Sequence, residues 1–407
     1  MKRFCALLWL AVAATASASD WPQWGGAARD FKSDAKGLAA KWPEGGPKKL
    51  WSRELGEGYS AISMHEGRLY TMTRRGNQDV VVAMEAATGK TAWEYAYDAP
   101  FDPRADFTYG PGPHSAPLVV GEQVFTVGAT GILHGIDRKS GKKLWSHDLL
   151  KEYQAYYRPQ GFNCSPIAYK DTVIVLAGGP EAGVIAFNKK DGSVAWKKHS
   201  FKNASSSPIL IRFEGQDQLV ATMFEELVGL DPATGDLLWR HSVKTEYGLN
   251  VSTPIWGDDN VIFVSAAYDS GSRAIRLKRS GDKFETEEVW YSRLMRVHFG
   301  NTIRIGDVVY GSSGDFGPSP LTAIDMKTGQ ILWRNRGLVR ASYVFADGRL
   351  IALDEDGNLA LLNVAPQGAT IISKVQILDR VAWTPPTLVG STLYVRDRKQ
   401  LMALDLK

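Results

Sequence analysis

The chain of 407 residues has two cysteines and no excess of charge: 48 Lys+Arg against 44 Asp+Glu give a formal +4. Cys5 lies in an N-terminal apolar run, so Cys164 is the one thiol beyond it. That shortage excludes a disulfide-stapled fold, and a large core must hold the chain together. The even charge excludes a basic stripe for nucleic acid and a polybasic patch for a membrane surface. Beyond residue 19 no apolar run reaches the ~18 residues that a membrane helix needs. Chemistry-bearing patterns are also missing. There is no Cys-x-x-Cys pair, no haem-attachment Cys-x-x-Cys-His, no two His at i, i+4 and no nucleophile elbow. Gly110-Pro111-Gly112-Pro113 and Gly178-Gly179-Pro180 are glycine-rich, but neither opens a helix to cradle a phosphate.

What is present begins with a leader. Lys2 and Arg3 precede the apolar stretch from Phe4 to Ala14, and small residues from Ala16 to Ser19 offer a cleavage site. Residues 1–19 are therefore expected to be a cleaved export signal, which places the protein in the periplasm or outside the cell. Cys5 is inside the apolar run, a poor position for lipid attachment. No transmembrane segment and no nucleic-acid partner are expected, and the ring described next is expected to be a monomer.

Tryptophan and glycine are abundant, at 13 and 40. They recur together in a fixed pattern: a small residue, Gly six residues later, Trp ten residues later. Ala83–Gly89–Trp93, Gly135–Gly141–Trp145, Ala186–Gly192–Trp196, Gly229–Gly235–Trp239 and Ala323–Gly329–Trp333 share this register. A degenerate copy runs from Ala274 through Gly281 to Trp290. Another, around Leu361, Asn363 and Gly368, has no Trp. The last begins at Ala403 and reaches Lys407 before its Trp. The missing half stands at the other end, where Lys48-Lys49-Leu50-Trp51 matches Lys142-Lys143-Leu144-Trp145. The mean interval of about 46 residues is that of a four-stranded propeller blade.

Each interval reads as four short strands separated by turns in which Asp or Asn opens and Gly supplies positive φ. The expectation is an all-β, eight-bladed β-propeller of four-stranded blades over 48–407, closed by pairing of the N-terminal strand with the C-terminal blade. Residues 20–47 form an extension that packs on the ring. Trp51, Trp93, Trp145, Trp196, Trp239, Trp290 and Trp333 are assigned to docking between blades.

The Ala-x-Asp-x-x-Thr-Gly-x-x-x-Trp pattern resembles the repeat of the pyrroloquinoline-quinone (PQQ)-like eight-bladed propellers. That family includes quinoprotein alcohol dehydrogenases and BamB-like outer-membrane assembly proteins. The likeness covers residues 48–407, and the opening Trp21-Pro22-Gln23-Trp24-Gly25-Gly26 is similar to the start of secreted members. The shared residues hold blades together, so the resemblance implies a fold before it implies a function. It implies PQQ with Ca²⁺ as a cofactor pair, yet the chain has no adjacent Cys-Cys and no match to the metal and catalytic segments. Asp106, Asp269 and Asp315 do not have the spacing of a calcium site.

A second motif, Ser115-Ala116-Pro117, Ser165-Pro166, Ser207-Pro208, Thr253-Pro254 and Thr384-Pro385, opens the innermost strands. Pro is tolerated there because an innermost strand has one unpaired edge. The residues before these motifs should rim one mouth of the channel: His114, Arg158, Asn163, Asn250, Arg296, His298, Asn301, Arg340, Tyr343 and Trp383, with Tyr109, Tyr157 and Tyr247. They form either a polar-aromatic funnel for an anionic or quinone-like ligand, with Arg158, Arg296 and Arg340 meeting carboxylates, or the lining of a narrow wet channel. The functional expectation is an exported scaffold that binds an envelope protein or a small-molecule ligand. The alternative is a PQQ-dependent dehydrogenase oxidising an alcohol or sugar.

Overall fold

The structure, a computed structural model, describes residues 20–407 apart from Arg104, Phe107, Tyr109 and Phe316. The leader expected at 1–19 and the mouth residue Tyr109 thus lie outside the described residues. Among the described residues no helix is long and apolar enough to cross a membrane.

Among the described residues thirty-two strands form eight separate four-stranded antiparallel sheets. Blade one is Ser63–His65, Arg68–Arg75, Gln78–Glu85 and Thr91–Asp98. Blades two to seven follow over 118–148, 167–198, 209–242, 255–292, 303–335 and 341–376. Blade eight takes Thr387–Val389, Thr392–Arg396 and Gln400–Asp405 from the end of the chain, and its outermost strand is Lys48–Glu54 from the beginning. The pairing runs from Lys48↔Asp405 to Glu54↔Gln400, so residues 346 to 357 positions apart in sequence close the ring. The inner strand of blade two begins at Leu118, after Pro117, which has no N–H to give; Ser115 Oγ donates to Val127 O of the same blade.

The repeat is a packing device. In every blade the third strand meets the fourth across a β-bulge, and in seven of the eight the bulge lies beside a small residue with the Trp opposite it: Ala83↔Trp93, Gly135↔Trp145, Ala186↔Trp196, Gly229↔Trp239, Ala274↔Trp290, Ala323↔Trp333 and Ala403↔Trp51. The bulge twists the outer strand, and the small partner leaves room for the indole. In blade seven the bulk changes sides: Leu361 faces Ser373.

Each indole then reaches the next blade. Trp93 Nε1 donates to Arg138 O at 2.9 Å, Trp145 to Lys189 O at 2.9 Å and Trp290 to Met326 O at 2.7 Å. Trp51 donates to Ala86 O at 3.0 Å, so the same link crosses the closure. The turn glycine lies under the ring: a Cβ on Gly141 would stand 2.6 Å from Trp93. Trp239 departs from this. The next blade carries the displaced glycine Gly281, which has nothing near it, and Trp239 Nε1 donates instead to Gln218 Oε1 of its own blade at 2.6 Å. Between the indoles, faces pack directly, as where Phe125 and Leu133 of blade two meet Val175 and Phe187 of blade three, all buried.

The inner wall is stitched by hydroxyls. Ser60 Oγ donates to Ser115 O at 2.7 Å, Ala116 N to Ser165 Oγ at 2.9 Å, and Ser165 N to Ser207 Oγ at 3.0 Å. Across the closure, Thr384 Oγ1 donates to Tyr59 O at 3.0 Å, and Thr387 Oγ1 to Ile62 O at 2.7 Å. Small hydroxyl residues before the inner strands are thus explained by geometry where eight strand starts converge.

Residues 20–47 cross one end of the channel and cover free inner-strand edges. Trp21 bridges to Met64 of blade one, Val119 N of blade two donates to Pro22 O, and Lys32 bridges to Phe345 of blade seven. Arg29 enters between the blades and is 4% exposed; its guanidinium donates to Pro208 O at 2.8 Å, to Pro166 O, and to Gln23 Oε1 at 3.0 Å. Burial pulls its pKa down to about 9. Trp21, Phe31, Leu38 and Trp42 join the core of blades six to eight.

Candidate functional site

At the opposite end the channel opens into a funnel of about 290 Å³. Its walls are the loops that run from one blade's outer strand to the next blade's inner strand, and Trp24 of the extension lies at its floor. Trp24 Nε1 donates to Thr253 Oγ1 at 2.8 Å, and its ring meets Phe31 edge-on at 5.3 Å.

One side of the funnel is a continuous arc of rings. His114 stacks on Tyr59 at 5.2 Å, Tyr59 adjoins Trp383 at 5.3 Å, Trp383 adjoins Phe299 at 4.7 Å, and Phe299 stacks on His298 at 3.7 Å. His298 then meets Tyr268 edge-on at 4.7 Å, and Tyr268 meets Tyr247 at 5.1 Å. The arc thereby leads from the enclosed funnel to the outer rim. The rest of the lining mixes small polar residues, Asn163, Ser205 and Ser207, with apolar Phe101, Leu249 and Val251.

The charges are settled among themselves. Arg340, the one Lys or Arg among the described lining residues, pairs with Glu355 at 3.2 Å and donates to Asp315 O at 3.0 Å. Glu355 also holds Trp383 Nε1 at 2.8 Å and Arg380 at 2.9 Å. Asp315 pairs with Arg296 at 2.8 Å and accepts from Tyr268 N at 3.2 Å. Asp106 accepts from the hydroxyl and amide of Thr108, which holds its carboxyl below the usual range.

His298 is 4% exposed; its Nε2 lies 2.6 Å from Tyr268 OH, and its Nδ1 lies 3.2 Å from Asp315 O. A carbonyl only accepts, so Nδ1 carries the proton and Nε2 accepts from the phenol. Burial, with Arg340 nearby, lowers its pKa to about 4, and burial with Arg396 nearby does the same for His114. Both rings are neutral at physiological pH. Three buried side-chain atoms of the described lining residues have no hydrogen-bond partner: Asn163 Oδ1, His114 Nδ1 and Arg340 Nε.

The mouth candidates from sequence divide into groups. His114, Asn163, His298, Arg340 and Trp383 line the funnel, and Arg296 stands at its rim through its pair with Asp315. The others serve the backbone. Asn301 exchanges two 2.8 Å bonds with the main chain of Tyr343, and Tyr343 is fully buried with its OH 2.6 Å from Ser312 Oγ. Asn250 Nδ2 donates to Met223 O at 2.9 Å. Arg158 is buried over Phe224 and donates to Asn203 O and Gly248 O, so it does not face a ligand. Sequence reasoning did not single out Tyr59, Phe299, Tyr268 or Trp24. Tyr59 precedes Ser60 as His114 precedes Ser115, which is the signal that could have found it.

A calcium ion takes six to eight oxygen ligands and an acidic quinone needs free cations. Among the described residues no three His, Cys, Asp or Glu come together as a metal nest. The two lining carboxylates and Arg340 are already engaged. The lining therefore does not fit the PQQ–calcium pair. Cys164 is buried, donates to Ala204 O at 2.9 Å and has its pKa pushed up to about 12 by burial, which makes it an inert thiol.

Residues 36–175 and 153–335 match the family model described as outer membrane protein assembly factor BamB. The chain belongs to that family. It is 25% identical over 302 residues to the outer membrane protein assembly factor BamB of Yersinia pestis, covering 70% of this chain and 72% of that one. It is 26% identical over 153 residues to quinohemoprotein alcohol dehydrogenase ADH IIB of Pseudomonas putida, covering 35% of this chain and 20% of the enzyme. The solved quinohemoprotein alcohol dehydrogenase of Comamonas testosteroni superposes with TM-score 0.70 at 13% identity, over 95% of this chain and 80% of that one. That last likeness shows a shared fold.

Proposed function

We propose that this member of the BamB family is an exported, periplasmic protein-interaction scaffold that holds a component of outer membrane protein assembly on its funnel face. One observation carries the reading. Large apolar side chains are exposed on the loops that flank blade five on that face: Leu294, after its outer strand, is 62% exposed and Tyr247, before its inner strand, 54%, while Tyr291 is exposed on the outer strand itself. An apolar tip on a rigid ring, surrounded by settled polar groups, is the anatomy of a protein-binding hot spot. Tyr291 is held for this role: its OH donates to Ser270 O and accepts from Arg293 Nε at 3.1 Å, while Arg273 covers its ring at 3.9 Å.

The experiment is affinity capture from envelope extract with the full chain, followed by Leu294→Asp and Tyr247→Asp. Recovery of the same assembly component in repeated captures, lost in both variants with the melting temperature unchanged, supports the reading. Capture that survives both substitutions contradicts it. The dehydrogenase reading predicts dye reduction and a quinone absorbance shift when PQQ and Ca²⁺ are added.

A further inference from the structure

The exposed leucine at blade five has a charge environment of its own. Leu294 follows the outer strand Lys283–Ser292, and Arg293 beside it is exposed. From the neighbouring blade, Arg334 on the outer strand Ile331–Asn335 reaches the same loop: its Nη2 donates to Leu294 O at 2.7 Å. Arg336, two residues further on, is exposed as well. Three arginines thus occupy the two strand ends that meet at one exposed leucine.

Nearer the funnel the arginines are matched: Arg296 has a carboxylate at 2.8 Å, Arg340 at 3.2 Å and Arg380 at 2.9 Å. At Leu294 they are not. Among the described residues Arg334 and Arg336 form no ion pair, and Arg293 reaches only Asp269, at 3.7 Å, with both side chains about two-thirds exposed. A pair so long and so exposed contributes little. The Leu294 carbonyl holds one nitrogen of Arg334 and leaves the rest of the fork for a carboxylate. A guanidinium is also more weakly hydrated than an ammonium, so it enters an interface at smaller cost. A purely apolar partner would bury these cations uncompensated, and a basic one would be repelled. A phosphate-covered surface needs a wide basic face, whereas beside Tyr247 the exposed Lys244 and Glu246 carry opposite charges.

We infer that this sector of the mouth recognises an acidic protein segment, in which an apolar side chain that packs on Leu294 is flanked by carboxylates that meet Arg293, Arg334 and Arg336. The inference rests on the protein-binding reading of the tip and names the chemistry of its partner. Rim charges act on encounter more than on residence. The arginines therefore set the association rate and its salt dependence, and Leu294 sets the dissociation rate. Salt at 1 M shortens the screening length to about 3 Å, so it slows association and leaves the apolar contact in place.

The test is biolayer interferometry of the full chain on an immobilised peptide in which Leu alternates with Glu, on its Gln and Lys counterparts, and on phosphatidylglycerol vesicles. The Glu peptide should bind about tenfold tighter than either counterpart, with association slowed by salt. Arg334→Glu combined with Arg336→Glu should turn the preference towards the Lys peptide, with unchanged melting. Arg336→Glu alone, at a side chain with no hydrogen bond or ion pair among the described residues, should weaken the Glu peptide about fivefold. No preference for the Glu peptide, a preference that survives the double reversal, or binding of the vesicles in place of the peptides overturns the inference. Affinity capture separates it from the reading on which it rests. A component captured equally by the wild type and the double reversal, yet lost in Leu294→Asp, overturns the acidic chemistry and leaves the protein-binding tip standing. A Glu preference that the double reversal turns round, with nothing captured from the envelope, upholds the acidic chemistry and removes the tip from assembly.

Discussion

The wall of the ring and its mouth are built on opposite plans. In the wall one solution repeats: small residue, bulge, Trp opposite, turn glycine of the next blade beneath the indole. At the mouth each loop contributes something different: His114, Asn163, His298 with Phe299, Arg340, Trp383. The exposed apolar residues divide the same way. Leu50, Leu144, Val194, Leu237 and Leu332 each lie within two residues of a Trp on an outer strand, whereas Tyr247 and Leu294 lie on the mouth loops before and after blade five. The first set is the repeat's own by-product. The second set owes nothing to it, and it is there that selection for binding has room to act.

The largest expected effect strikes the wall at its closure. Deleting residues 48–55 removes the outer strand of blade eight and with it every pair from Lys48↔Asp405 to Glu54↔Gln400, plus the Trp51 link to blade one. The truncated chain should show no cooperative melting by circular dichroism; a transition like that of the full chain would refute closure by this strand.

Next comes Arg396, fully buried and directed across the same closure. Its guanidinium donates to Ser60 O at 3.1 Å, Thr71 Oγ1 at 3.0 Å, Met72 O at 2.9 Å and Gly58 O at 2.9 Å. Burial lowers its pKa to about 10, which leaves it a cation at neutral pH, solvated by blade one in place of water. Arg396→Met strands those acceptors and should cost about 3 kcal/mol in chemical denaturation. A loss under about 1 kcal/mol would mean that the staple is redundant.

A smaller contrast lies between two seams. Gly141 and Gly281 both have positive φ, +73° and +59°, but only Gly141 lies under an indole. Gly141→Ala adds a clash with Trp93 to the backbone strain and should cost about 2–3 kcal/mol, against about 1 kcal/mol for Gly281→Ala, where nothing is within 4 Å. Equal losses would show that the close approach contributes nothing.

The same contrast explains what could be read from sequence. The Trp–Gly interval was legible because one physical problem recurs in every blade, and even the broken copies kept their place: Leu361 faces Ser373 beside the same bulge without the Trp. The mouth has no internal repeat to compare. An Asn before a Ser-Pro or Thr-Pro start reads alike in sequence whether it faces the funnel, as Asn163 does, or is spent on carbonyls, as Asn250 is. Tyr268 comes from a turn within blade five and Trp24 from the extension, so their presence at the funnel is a tertiary fact. Arg158 and Arg340 carry the same charge in sequence; the fold gives one to carbonyls and the other to Glu355.

The most direct test compares mouth and wall in one experiment. A photo-reactive residue is placed at Leu294 or Tyr247 on the mouth, and at Leu50 or Leu144 on the wall, in the full chain within its native envelope. The mouth positions should cross-link to one recurring outer membrane assembly component, identified by mass spectrometry, while the wall positions, also apolar and exposed, give none. Cross-links of equal yield from wall and mouth, or from the wall alone, would contradict the account.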